Sequence, residues 1–437
     1  MRIRLSLYLV LFVGAVRCGN LNAAATDSGE SNRANYSIEG LNQLGSVATL
    51  PAFSDTIFGV DSGLRRALFN HGLAFRINAL PRVSVNLLDG PVPAPQQAYI
   101  GQRPTVITGL HPIITADLRQ LGLRNAQLHV SAAWRWTTWN PAGPKTISLL
   151  TLYLYKMWGK DRVELKAGYL TNDLEFVGMQ VGGSLATGVQ GVYAVLPYQV
   201  GMSYFPLTAP TLNIRLRTAE RTYVKIGVQR SLDAGGGAVA QARNQTGFRF
   251  IPHGNKLLLI NEAGYQRPSS AADNQLWIRA GYIRNSTLYT NKITGAKEAG
   301  NFCGYFLADY QLRKPNPHRP SQGVFIGGSA MATPAKFNAY DRYYEARVYQ
   351  RAPLASRPDD VVSIVATWRS HSKYVTEALA AQGKTVWRSS VSLTGSYSIH
   401  VSAGNYLSLG LGYVRGPAIT PRLADALAFT ANWGLYF

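Results

Sequence analysis

Seven histidines are spread along the 437-residue chain, at positions 71, 111, 129, 253, 318, 371 and 400. None has the spacing to Cys, Asp, Glu or a second His that a zinc ligand set requires. Two Ser/His pairs stand two residues apart, His129 with Ser131 and Ser398 with His400. Residues i and i+2 of a strand share a face. Each pair could therefore set a nucleophile beside a base, as a lipid hydrolase requires. Both pairs fall on the polar side of their segments, away from the side that would meet lipid, and read as ordinary polar lining. No G-x-S-x-G, phosphate loop or dinucleotide fingerprint is present. Two cysteines, Cys18 and Cys303, exclude a disulfide scaffold. No catalytic residue, cofactor or metal site is expected. The chain is instead rich in cations, with 44 Lys+Arg against 23 Asp+Glu, a net charge of +21. They are dispersed rather than clustered, which argues against a nucleic-acid partner.

Many of these cations alternate with apolar residues. In Phe75–Leu87 the apolar set is Phe75, Ile77, Ala79, Val83, Val85 and Leu87, and Arg76, Asn78, Arg82, Ser84 and Asn86 take the other side. The same reading assigns Arg135, Arg162, Glu164, Lys166, Arg215, Arg217, Lys225, Arg279, Glu345, Arg347 and Arg369 to a polar side. With Arg76 and Arg82 added, that set holds eleven bases and two acids. Facing lipid, each Arg or Lys would cost about 2–4 kcal/mol at the midplane. Facing a wet lumen, the cost nearly vanishes and the field attracts anions. The planar guanidinium fork suits carboxylate, phosphate and sugar hydroxyls. Tyr153, Tyr343 and Tyr349 could stack on sugar rings.

The elements that position these residues are strands. Only 15% of residues are charged, well under the usual quarter. In Ser390–Val401 the positions Val391, Leu393, Gly395, Tyr397, Ile399 and Val401 alternate with Ser390, Ser392, Thr394, Ser396, Ser398 and His400. Tyr406–Tyr413 and Leu427–Phe437 repeat the pattern, as do Phe75–Leu87, Leu128–Trp136, Val163–Tyr169, Leu212–Arg217, Thr222–Arg230, Leu276–Arg284, Val324–Met331, Tyr340–Arg351 and Val362–Arg369. Turn signals such as Asp89-Gly90, Asn140-Pro141 and Gly404-Asn405 separate them. Alternating segments of about ten residues divided by turns mark a transmembrane antiparallel β-barrel, an all-β fold whose closure pairs every backbone group. A soluble sandwich would carry Lys and Glu where this chain has Ser and Gly. The Gly-rich, apolar stretch Thr171–Leu196 is expected to fold into the lumen as a constriction, with Asp173 and Glu175 pairing with wall arginines.

The N-terminus points to export. Arg2 and Arg4 precede the apolar run Leu5–Val16, and Ala23–Ala25 offers a small-residue cleavage site, the three parts of a secretory signal. Arg17 before Cys18 disfavours lipidation. Cleavage after Ala25 removes Arg2, Arg4 and Arg17 and no acid, leaving 41 bases against 23 acids, a charge of +18. Beyond it no stretch reaches 18 apolar residues, so no transmembrane helix is expected. Three parts follow: a signal peptide at 1–25, a polar, plug-like segment with a short helix (Gly63–Gly72) at 26–72, and the barrel at 73–437.

Several pieces resemble the carbohydrate-selective porins of the OprB type. They are Gly72-Leu73 opening the first strand with Asn86 and Gly90 closing it, Tyr99, Asp117-Leu118, Leu174-Glu175-Phe176, Pro197, and Arg357-Pro358-Asp359-Asp360 leading into a strand. Terminal Phe437, with apolar residues at every second position before it, is similar to the assembly signal of bacterial outer-membrane proteins. Two departures bear on the solute: Asp89-Gly90 replaces the family's Gly-Gly, and Arg82 lies near where an acid is usual. The resemblance implies an outer-membrane barrel of about sixteen strands (or eighteen), narrowed by inward loops. It would pass sugars, sugar acids or small anions passively, as a monomer or homo-oligomer. The expected partners are outer-membrane lipid, lipopolysaccharide and the assembly machinery. The competing readings are a conduit for acidic polysaccharide, an outer-membrane lipid hydrolase and an adhesive barrel.

Overall fold

A computed structural model describes residues 38–42, 44–45, 50–60, 63–88, 92–139, 146–177, 195–252, 254–420 and 425–437. The signal segment with Cys18, Asp89-Gly90, Asn140-Pro141, His253 and the loop stretch 178–194 lie outside the described residues.

Sixteen antiparallel strands close into one barrel. They are β1 (in two pieces, Leu73–Ala79 and Arg82–Asn86), β2 (Thr105–Asp117), β3 (Ala126–Thr137), β4 (Thr146–Trp158), β5 (Val163–Leu170), β6 (Ala209–Arg217), β7 (Thr222–Arg230) and β8 (Leu257–Arg267). β9 (Leu276–Asn285), β10 (Asn301–Arg313), β11 (Gly323–Ala332), β12 (Tyr340–Arg351), β13 (Val361–His371), β14 (Ser389–Ser402), β15 (Asn405–Arg415) and β16 (Asp425–Tyr436) follow. Each pairs with its sequence neighbours, and β1 closes on β16 through Asn78↔Tyr436, Ala79↔Leu435 and Ser84↔Thr430. Proline has no N–H to give a ladder, so Leu80-Pro81 splits β1. The wall holds there because Pro81 O accepts from Trp433 N and Leu80 N donates to Gly109 O.

The barrel is inside out. Outward positions are exposed and apolar: Val83, Trp134, Leu212, Phe306, Ile364 and Leu393 are examples. Inward positions are buried and polar: Arg76, Gln127, Asn213, Glu262, Asp309 and Ser392 are examples. This is the arrangement lipid demands outside and water demands inside. The shortest connections, 159–162, 218–221 and 403–404, lie at one end, and the longest, 87–104, 171–208 and 231–256, at the other. Short turns mark the periplasmic side.

Four strands escape the alternation rule. β2 contains Gly109 and Pro112, and in β4 the register against β3 shifts between Leu149 and Thr151, so its parity changes mid-strand. β8 and β10 are apolar on both faces, because inward Leu258, Ile260, Cys303 and Leu307 pack against a loop inside the barrel. The predicted helix appears as α1 (Gly63–Asn70). Short helices also occur in the β5–β6 loop (α2, Val195–Gln199), the β7–β8 loop (α3, Gly237–Arg243) and the β13–β14 loop (α4, Lys373–Ala380).

Phe437 seals the seam. Its N–H donates to Ile77 O at 2.9 Å, and its ring lies 5.5 Å from that of Phe58. Deleting Phe437 should lower the yield of heat-modifiable folded barrel in the membrane fraction. An unchanged yield would remove the C-terminal residue from the assembly signal.

Candidate functional site

The described parts of the β5–β6 loop, 171–177 and 195–208, pack against the inner wall of the barrel. They put Phe176, Val177, Leu196, Val200 and Met202 into a fully buried cluster with Ile283 and Phe325 and the inward residues of β8 and β10. Each such side chain contributes about 1.5–3 kcal/mol when fully buried. A solvent-facing loop would have no use for them. Gly227 on β7 makes the room, since a Cβ there would lie 2.7 Å from the Phe176 ring.

Neutral amides fix the loop backbone. Gln199 Oε1 accepts from Ala339 N at 2.8 Å and Tyr340 N at 3.0 Å. Asn285 Nδ2 donates to Val200 O. Asn172 Nδ2 donates to Gln229 Oε1, and Asn213 Nδ2 to Asn172 Oδ1, both at 2.7 Å. Asn213, Gln229 and Asn285 show only their inward parity in the sequence, and the loop residues Asn172 and Gln199 not even that.

The loop carboxylates behave differently from each other. Glu175 sits between two wall lysines, accepting from Lys166 Nζ at 2.6 Å and Lys225 Nζ at 2.9 Å. Burial alone would raise its pKa, but the two ammonium groups bring it down to about 2. Lys166 also donates to Gly45 O at 2.6 Å, so wall, loop and N-terminal segment meet at one ammonium group. The expected arginine partners are thus lysines. Among the described residues, Asp173 has no cation beside it. Burial pushes its carboxyl up to about 6, against the opposing hydrogen bond from Tyr198.

A carboxyl whose pKa is raised by folding keeps its proton between about 3.8 and 6. It favours the folded state most at low pH, and that preference is lost as the pH rises through about 6. Channel conductance should therefore change between about pH 5 and 7. Asp173→Asn should flatten that change in single-channel recordings. The same pH profile in the variant would place the titrating group elsewhere.

The remaining inward charges divide by partner. Arg347 on β12 is enclosed by Asp309 on β10, at 2.9 and 2.7 Å, and by Glu345 at 2.5 Å. Arg76 donates to Pro51 O at 2.8 Å and stacks on Phe53, 4.4 Å from its ring centre. The N-terminal segment thereby covers it. That segment is held again where Asp55 meets His400 Nε2 at 3.0 Å and accepts from Tyr406. Arg279 lies over Trp277 and Arg369 over Tyr340, at 4.0 and 3.9 Å. Arg215 approaches Glu164 at 3.9 Å and lies 4.4 Å from the Tyr223 ring centre. Arg82 donates to Ser84 Oγ at 3.2 Å. Arg135 faces the loop residue Phe205, 5.2 Å from its ring, and His111 packs 5.0 Å from the same ring.

Arg162 and Arg217 do not reach the lumen interior. Both are exposed at the short-turn end, because β5 starts only at Val163 and β6 stops at Arg217. Tyr153, Tyr343 and Tyr349 are buried against other side chains and offer no open face. The Ser/His pairs are otherwise engaged: His129 Nδ1 bonds Thr115 at 3.1 Å, and His400 bonds Asp55. The inward acids that went unread include Glu262, which accepts from Tyr223 and Tyr305 at 2.9 Å each, and Asp309. Both lie on the two-faced apolar strands β8 and β10.

Residues 137–435 match the family described as carbohydrate-selective porin, OprB family. Among solved structures, the chain is similar to the high-pH form of OprB from Pseudomonas putida. The TM-score is 0.70 and the identity 14%, over 89% of this chain and all of that one. The low-pH form aligns over the same shares with a TM-score of 0.56 and 13% identity. No curated protein matches in sequence.

Proposed function

This chain belongs to the OprB family of carbohydrate-selective porins, and from that premise we propose how its lumen chooses among solutes. It is an outer-membrane β-barrel through which sugars diffuse passively, and it is a channel rather than an enzyme. The selection itself is assigned to two wall arginines, Arg82 and Arg135, the second of which faces Phe205 of the β5–β6 loop. One observation carries this reading: among the described residues, neither has a carboxylate within ion-pair distance, whereas Lys166, Lys225 and Arg347 are neutralised by Glu175, Asp309 and Glu345. An unpaired guanidinium offers its fork to sugar hydroxyls and to carboxylates. The preferred solutes are therefore neutral sugars and sugar acids. An acidic polysaccharide is the extended form of the same chemistry.

The outward apolar band is the surface for outer-membrane lipid, and the strand ending in Phe437 is the segment the assembly machinery reads. The test is electrical. Purified folded protein in a planar bilayer should give open-channel steps that a hexose or hexuronate interrupts. In liposome swelling the uronate should enter at least as fast as the neutral sugar of equal size. Absence of steps would reject the channel reading, and exclusion of the uronate would reject the assignment to Arg82 and Arg135.

A further inference from the structure

The turn Arg357-Pro358-Asp359-Asp360 joins β12 to β13 at the short-turn end and encloses one histidine. Asp360 accepts from Arg357 Nε at 2.9 Å, from Tyr397 Oη on β14 at 2.7 Å and from the His400 backbone N–H at 2.9 Å. Arg357 also donates to His400 O at 3.3 Å. The turn is thereby fixed to β14, and it carries Asp359 to the His400 ring, with Oδ2 3.5 Å from Nδ1. The other ring nitrogen, Nε2, lies 3.0 Å from Asp55 Oδ1 of the N-terminal segment. Tyr406 of β15 stacks on the ring at 4.7 Å and donates to the same Asp55. Tyr436 of β16 meets Tyr406 edge-on at 5.6 Å.

Both ring nitrogens of His400 therefore face carboxylates. An ionised carboxylate only accepts hydrogen bonds, and a neutral imidazole has a single N–H to give. The imidazolium serves both acids, whereas the neutral ring turns a lone pair toward one of them. Burial alone would raise the Asp55 carboxyl, but His400 and Tyr406 bring it below its ordinary range. Loss of the ring proton thus replaces two charge-assisted contacts with one weaker bond.

What this cluster holds is a strap. Leu44 N donates to Gln127 Oε1 on β3 at 3.1 Å, and Gly45 O accepts from Lys166 on β5. Pro51 and Phe53 lie over Arg76 on β1, and Ile57 N donates to Tyr436 O on β16 at 2.8 Å. Gln127, Lys166, Arg76, His400 and Tyr406 all stand within four residues of the short-turn ends of their strands. The segment therefore runs along the inside of the periplasmic mouth from β14 to β5. Among its described side-chain anchors on the wall, His400 is the one whose residue type changes charge between pH 5 and 8. We propose that the N-terminal segment is a proton-sensitive strap at the periplasmic exit, latched at Asp55 while His400 is an imidazolium and released there when the ring is neutral. The exit is then narrower in acid.

The experiment places a nitroxide on the strap through Ser54→Cys, at an exposed position next to Asp55, in the full chain with Cys18→Ser. Cys303 is buried and takes no label. The label should be immobile below about pH 5 and mobile above about pH 8. His400→Phe keeps a ring on Tyr406 and removes both nitrogens, so the label should be mobile at every pH. If that variant fails to fold, Asp55→Asn, which lies outside the strands, should lose the transition in the same way. Asp173→Asn should keep it, which separates the latch from the loop carboxyl. Small ions pass beside a strap that hinders a larger solute, so the exit is read by liposome swelling. The entry rate of a disaccharide relative to a monosaccharide should rise as the label is released, and should be independent of pH in His400→Phe. A parent label with no transition, or a transition that survives in the His400 and Asp55 variants, overturns the latch. Release of the label with an unchanged swelling ratio overturns its control of the exit.

Discussion

Glu175→Gln is expected to enlarge the single-channel conductance and to destabilise the folded barrel by about 3–5 kcal/mol, the usual cost of stranding buried charge. One carboxylate here serves two ammonium groups. Removing it leaves Lys166 and Lys225 facing each other in a buried site. Removing one lysine does less harm: Lys225→Met leaves a neutral one-to-one pair, and its conductance should stay near the parent's. The contrast separates an electrostatic clamp from simple packing, because both changes delete the same Glu175–Lys225 contact. The pH dependence follows from the direction of the shift. Glu175 is depressed from 4.5 to about 2 in the folded protein. Its stabilisation is therefore full above about 4.5 and lost as the pH falls through about 2. The parent should hold its loop down to about pH 4 and release it in stronger acid. Glu175→Gln should show no further release over that range. Thermal unfolding and conductance on the same preparations check both points. If Glu175→Gln conducts and melts like the parent, the loop is held by the apolar cluster and the amides alone.

The barrel and the clamp were legible in the sequence to different depths, for a physical reason. Strands such as β14, with lipid on one face and water on the other, write their fold as alternation. β8 and β10 do not, because Leu258, Ile260, Cys303 and Leu307 face a protein surface inside the barrel. An inward apolar residue looks like any other apolar residue until its partner is known. The loop betrayed itself by being too apolar for water, and Phe176, Val177 and Leu196 are the residues that explain it. Its partners left no local trace: Lys225 lies 50 residues from Glu175, and Gln199 reaches 140 residues to Ala339. Parity says which face a side chain takes, and not what stands across the lumen. That is also why thirteen inward charges read alike in the sequence, yet divide into covered Arg76, paired Lys166, Lys225 and Arg347, and exposed Arg162 and Arg217.

That division sets the expected charge selectivity. Only cations without a carboxylate can project a net field into the solute path. Arg82 and Arg135 belong to that class, and Arg347 does not. A narrow lumen with low-dielectric walls focuses such a field to several kT. The parent should therefore favour anions in a reversal-potential measurement across a salt gradient. Screening shortens the reach of the field from about 10 Å at 0.1 M to about 3 Å at 1 M. Arg82→Ser with Arg135→Ser should thus shift the reversal potential toward cations strongly at low salt and weakly at high salt. Arg347→Ser should do something else. It strands Asp309 and Glu345 in a buried site, so its main effect should be a loss of folded protein, of about 3–5 kcal/mol. Arg76→Ser should act through the N-terminal segment, because Pro51 O and the Phe53 ring would lose their contact. Ile77→Val, one residue away and facing lipid, should leave selectivity unchanged. A parent channel that prefers cations at low salt would show that Arg82 and Arg135 do not stand in the path of the solute.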